Sequence, residues 1–143
     1  MKRALLPLLL AFANLTLFAQ EEAEKHWIDV KMEQAIDKDG STSGMTRANA
    51  QALKDWDAEL NKHYKKLINS LDSEAKAKLR ESQRAWIAFR DKEIASIQSF
   101  YAKIDGTMFR VISASAITEL TRKRALSLSY LAEFAELRQE SID

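Results

Sequence analysis

The chain has 143 residues, of which 46% are hydrophobic and 30% charged. That is room for one domain with a core and scarcely for two, and it is the composition of an ordered protein rather than a disordered one. Three glycines and one proline are too few breakers for a many-turned β-fold, and with no cysteine the stability rests on packing alone.

Residues 1–19 have the form of a secretory signal peptide. Lys2-Arg3 is a basic start, Ala4 to Phe18 is an apolar run interrupted by Pro7, Asn14 and Thr16, and Ala19 offers a small residue before Gln20. The run is about 15 residues, too short to span a bilayer comfortably. With no cysteine after the cut, there is no site for lipid anchoring there. Cleavage removes Lys2 and Arg3 and leaves 20 basic against 21 acidic residues, a formal charge of −1. A domain of that charge has no electrostatic footprint for nucleic acid. No later segment is long and apolar enough to hold the mature chain in a membrane. The expected organisation is a signal at 1–19 and one helical domain at 20–143.

Four helices are predicted. The first covers Glu22 to Lys38, with Ile28, Met32, Ala35 and Ile36 at i, i+4, i+7 and i+8. Asp39-Gly40-Ser41-Thr42-Ser43-Gly44 is a turn, because its glycines permit backbone angles that a helix does not use. The second helix covers Met45 to Asn69, with Leu53, Trp56, Leu60, Tyr64, Leu67 and Leu71 on one stripe. Asp72 then restarts the helix as a cap, with Glu74 near the positive end of the new dipole. The third helix covers Ser73 to Lys103 along Leu79, Gln83, Trp86, Arg90, Glu93, Ile97 and Phe100, and Asp105-Gly106-Thr107 ends it. The fourth covers Phe109 to Gln139, with Ile117, Thr121, Arg124, Leu128, Leu131 and Ala135 on one face. Long helices on short turns pack antiparallel to their neighbours, so the fold class is an all-α bundle of about four helices.

Polar groups share stripes with aromatic residues at two places. Asp57, Asn61 and Tyr64 run beside Trp56 and Leu60; Gln83, Arg90 and Glu93 interleave with Trp86 and Ile97; Arg124 lies between Ile117 and Leu128. The favoured reading is a buried ion and amide network that sets helix register, because an unpaired buried charge is very costly and arginine bonds carboxylates two at a time. A ligand pocket and a catalytic site are the rival readings. If the network is sealed, removing Arg90 costs about 3–5 kcal/mol by stranding its carboxylate.

Catalytic and metal chemistry find little support. There is no cysteine nucleophile, and His26 and His63 lie far apart without an i, i+4 partner. Zinc would want more His or Cys. Asp37-Lys38-Asp39-Gly40-Ser41 has the outline of a calcium loop, but it lacks the alternating third ligand and the closing glutamate. No metal, cofactor or catalytic residue is assigned.

Trp56-Asp57-x-x-Leu60-Asn61-x-x-Tyr64, Leu71-Asp72, Gln83-Arg84-x-Trp86-x-x-Phe89-Arg90-Asp91, Gly106-Thr107-Met108 and Thr121-x-x-Arg124-Ala125-x-x-Leu128 together resemble the LprI-type lysozyme-inhibitor N-terminal domain family. The resemblance covers Ile28 to Leu131. It departs in the cysteines that many members carry, with Ile94 standing where one is expected. What it implies is an exported, non-enzymatic binding protein whose partner is lysozyme. A module docking on another cell-envelope protein is the alternative, with a cell-wall enzyme using Asp57, Glu93 and the arginines third. An inhibitor blocks a cleft with a protruding turn, so the expected binding residues are Asp39, Ser41 and Thr42 in the first turn and Lys103, Asp105 and Thr107 in the last.

Overall fold

A computed structural model describes residues 25–140; the signal at 1–19 lies outside that range. The described residues form four helices and no strand: α1 (Trp27–Lys38), α2 (Thr42–Ser70), α3 (Ser73–Tyr101) and α4 (Met108–Glu140). This is the all-α bundle the sequence implies.

The helix starts are set by side-chain caps. Ser41 Oγ accepts from Gly44 N at 3.0 Å and Asp72 Oδ1 accepts from Ala75 N at 2.9 Å, each satisfying an amide that the helix leaves unpaired. The expected start of the first helix at Glu22 is corrected to Trp27. Lys25 and His26 are not helical, and His26 Nδ1 accepts from Ile28 N as the cap. The first turn is also shorter than expected, since the Ser41 cap starts α2 at Thr42.

Gly44 therefore lies inside α2, and its role is corrected: no left-handed angle is needed there. A β-carbon on it would collide with the backbone oxygen and carboxyl of Asp39, so the glycine permits close approach of the chain. Gly106, with φ of 114°, is the glycine whose angle matters, reversing the chain between α3 and α4.

α2 and α4 run side by side in the same direction. Thr42 meets Thr107, the Thr118 hydroxyl donates to Asn49 O at 3.1 Å, and Lys66 pairs with Glu136 at 2.8 Å. Between them lie Trp56, Leu60, Leu67, Ala125, Leu128 and Ala132, with Ile28 entering from α1. The alanines let the two backbones come close. α1 runs antiparallel to α2, tied by Lys31 to Asp55 at 2.7 Å and by Asp39 to Arg47 at 2.6 Å.

α3 is held more loosely. Its only fully buried residue is Gln83, with Leu79 and Trp86 packed at the edge of the core. Phe100, expected on the buried stripe, is exposed, as is Leu131 of α4. Both lie on the α3–α4 side, where the helices approach too sparsely to cover a full stripe.

Two stability tests follow from these contacts. Glycine to alanine inside a helix normally stabilises by up to about 1 kcal/mol. Gly44→Ala is expected instead to destabilise by about 1–3 kcal/mol through overpacking against Asp39, measured by urea unfolding. A stabilised Gly44→Ala would overturn the contact. Asp55 is held below its ordinary value of 3.8 by its bond to Lys31 first, and by Gln51. Its contribution is thus present at neutral pH and lost as pH falls through the lowered value. The melting temperature of Asp55→Asn should lie below the parent at pH 7 and converge with it in strong acid; a gap independent of pH contradicts this.

Candidate functional site

The polar residues singled out in the sequence divide between two separate clusters. Trp56 belongs to the first, on the α1 side. Its buried ring stacks on His26 at 4.3 Å and lies 5.4 Å from the Arg122 guanidinium. Arg122 in turn grips Asp29 with two nitrogens, at 3.1 and 2.8 Å. The Asp29 carboxylate raises the Arg122 guanidinium above its ordinary value, against a smaller opposing effect of burial. Asp29, His26 and Arg122 were not found from sequence; the first two lie at the start of α1 and the third on α4, and only Trp56 carried a local signal.

The second cluster is the seam of α2, α3 and α4. Arg124 donates through Nε and a terminal nitrogen to Gln83 Oε1, at 3.1 and 2.9 Å. Trp86 lies 5.3 Å from the Arg90 guanidinium and 5.8 Å from that of Arg124, so one indole serves two cations. The sealed network is corrected at its other members. Arg90 pairs with its neighbour Asp91 at 3.0 Å and reaches Asp57 only at 3.7 Å, and half of the Asp57 side chain is exposed. Asn61 is exposed and donates to the backbone and carboxylate of Asp57 on its own helix. Glu93 is half-buried, and Tyr64 flanks a groove with Asn61, Arg80, Gln83, Arg84 and Ile87 that has no carboxylate in its lining. The seam stays open because α3 stands off from α2.

The energetic ranking changes accordingly. Arg90→Ala is expected to cost about 1 kcal/mol, the value of a half-exposed ion pair and a cation–π contact. Arg124→Ala should cost more, about 1–3 kcal/mol, because it strands the buried Gln83 oxygen. Burial already lowers the Arg124 value, as expected for a desolvated guanidinium. Chemical unfolding of both variants tests the order, and a larger loss at Arg90 would restore the sealed network.

The two predicted turns come together. Thr42 Oγ1 and Thr107 Oγ1 stand 3.4 Å apart, so the α1–α2 and α3–α4 turns share one end of the bundle. Within this end, Asp39 and Ser41 serve folding. The Asp39 carboxylate accepts from Ser41 N at 3.1 Å and from Arg47, and Ser41 caps α2. The Ser41 bonds above all, with Arg47 behind them, hold the Asp39 carboxyl below its ordinary value. Lys103, Asp105 and Thr107 are exposed, and the two charged ones enter no ion pair among the described residues. Beside them is a groove of about 690 Å³ whose lining includes Tyr101, Asp105, Phe109, Arg110 and Gln98. Tyr101 and Phe109 stack at 6.3 Å across the turn. Tyr101, Phe109 and Arg110 have no signal in the sequence, because they stand on two helices and meet only when the turn between them folds.

The fold and this end define a helical bundle that presents paired turns from rigid helices. The family model for "Lysozyme inhibitor LprI" matches residues 32–128, more than half of the chain, and the chain belongs to that family. An uncharacterised protein, R02472, of Rhizobium meliloti (strain 1021) is 33% identical over an alignment of 93 residues, with 56% of this chain and 66% of that protein covered. A crystal structure of an uncharacterised protein from Burkholderia thailandensis superposes with a TM-score of 0.74 at 30% identity, covering 78% of this chain and 56% of that one. The chain thus spans less than two thirds of the length of either relative. No described helix is long and apolar enough to cross a membrane.

Proposed function

We propose that this chain is an exported, non-enzymatic binding protein that inhibits a lysozyme by inserting the paired-turn end of its bundle. Residues 1–19 act as the secretory signal in this reading, and the domain from residue 20 works in the periplasm or outside the cell. The observation that carries the proposal, beside family membership, is the convergence of both turns through Thr42 and Thr107. Loops fixed at the ends of long helices present side chains with little ordering cost.

The chemistry of the target agrees with the residues displayed. Lysozyme cleaves glycosidic bonds with a pair of carboxyl groups in a cleft. Lys103 and Arg110 supply cations at the tip, and Tyr101 and Phe109 supply the apolar backing that a cleft-filling contact needs. A formal charge of −1 for the domain gives little long-range steering, so contact at the tip has to carry the affinity.

The test is lysis of cell-wall substrate by several lysozyme types in the presence of the purified protein. Inhibition is expected. The double variant Lys103→Glu with Arg110→Glu should weaken it by about tenfold or more, ~1.4 kcal/mol, at an unchanged melting temperature. Full lysozyme activity at high micromolar protein across all types would remove the proposal.

A further inference from the structure

α4 is apolar on more faces than the bundle uses. Its inner face packs on α2, yet Met108, Ile112, Leu126, Tyr130, Phe134 and Leu137 are all exposed, Tyr130 by 60% and Phe134 by 55%. A helix that is apolar all round is ordinarily covered all round. At about 100° per residue, Met108, Ile112, Ala116, Glu119, Lys123, Leu126, Tyr130 and Phe134 fall within an arc of about 80°, opposite the buried Thr118, Thr121, Ala125 and Ala132. Positions on any such stripe are symmetric about its centre; what the sequence adds is that the residue classes mirror as well, about residue 121. Met108 mirrors Phe134, Ile112 mirrors Tyr130, Ala116 mirrors Leu126, and Glu119 mirrors Lys123.

We infer that this outer face of α4 binds a second copy of the chain, antiparallel, about a two-fold axis at the level of residue 121. A two-fold interface is self-complementary: if one residue meets another, the reverse contact is made as well. In this register the apolar positions from Met108 to Phe134 meet apolar positions of the partner, and Leu137 lies beyond the paired stretch. The only two charged positions, Glu119 and Lys123, meet each other twice. Within one copy Glu119 lies 3.8 Å from Lys123 and 3.6 Å from Arg122; the Lys123 side chain is 74% exposed and that of Glu119 43%, so a partner copy reaches both from outside. Charge pairing of this kind contributes little raw affinity but fixes register and orientation. The opposite charges of Glu119 and Lys123 at mirrored positions are what select a second copy over a partner of unrelated sequence. The contact is one helix wide and ~39 Å long, which places it in the small, reversible class of interfaces.

Sedimentation velocity over a concentration series is the first measurement, and a monomer–dimer equilibrium is expected. Glu119→Lys and Lys123→Glu should each be monomeric at concentrations where the parent is dimeric, with helical content unchanged, since Lys123 is exposed and the ion pairs of the half-buried Glu119 lie at the surface. An equimolar mixture of the two variants should recover the dimer, because each then supplies the charge the other lacks. Register is read separately in this cysteine-free chain. Ala116→Cys mixed with Leu126→Cys should cross-link on oxidation, whereas neither should cross-link with itself, its own mirror position being ten residues away. A parent that stays monomeric up to millimolar concentration overturns the inference. So do charge variants that dimerise like the parent, or self-cross-linking of the single cysteine variants.

Discussion

Trp56 lies where α1, α2 and α4 meet, and its indole sets the distances among them. The ring is buried from every side: Leu60 and Ala52 share its helix, Ala125 and Leu128 face it from α4, and His26 and Arg122 cover its faces. Truncating a buried tryptophan commonly costs about 3–5 kcal/mol, a large share of the stability of a domain this size. The same indole also sets the geometry of the paired-turn end. Because it keeps α2 and α4 in parallel contact, both helices begin at the same end, and Thr42 comes to stand beside Thr107. The convergence of the turns is thus a consequence of core packing fourteen residues along α2, from Thr42 to Trp56.

α3 is attached in another way. It offers the core only Leu79 and Trp86, and its other anchor is a polar one, the Gln83 amide accepting twice from Arg124. The seam has no fully desolvated ion pair, so it lacks both the cost and the rigidity of one. Elements with few buried apolar contacts open at lower free energy than the core. α3 is therefore the element whose position is least fixed, and it leads directly into the Lys103–Thr107 turn. The first turn is anchored by Asp39, Ser41 and Gly44; the second depends on the stacking of Tyr101 on Phe109 and the left-handed Gly106.

Local signals were legible in the sequence and lateral ones were not. The Asp72 cap, the Trp56–Leu60–Leu67 stripe and the Asp105–Thr107 turn each depend on residues within one or two helical turns of one another, and each is found where the pattern put it. The Asp29–Arg122 grip joins residues 93 apart, and no periodicity announces it. Gly44 is a glycine because of Asp39, not because of its own angles. Pooling Trp56 and Trp86 into one network failed for a related reason. Both share stripes with charges, but stripes on different helices do not say which faces meet. α4 shows the difficulty most clearly: with apolar residues on opposite sides, periodicity cannot distinguish the side facing α2 from the side facing out, and Leu131 was placed inside on that basis.

The two surfaces of this domain constrain one another. The outer stripe of α4 begins at Met108, directly after the turn that carries Thr107. Antiparallel pairing about residue 121 sends the two copies' turns to opposite ends of the dimer, ~39 Å apart along the helix axis. Neither tip is covered by pairing, and the two cannot enter one cleft together. A dimer of this geometry is two-headed, suited to two targets at once or to neighbouring targets on one surface. In the second case avidity would make up for weak individual contacts without any new interaction. A domain that lacks net charge for steering, and whose second turn hangs from a loosely packed helix, gains most from that arrangement. The self-complementary stripe and the modest tip therefore fit together physically: Trp56 fixes the helices, and in the proposed reading the turns would supply specificity and the second copy persistence on a surface.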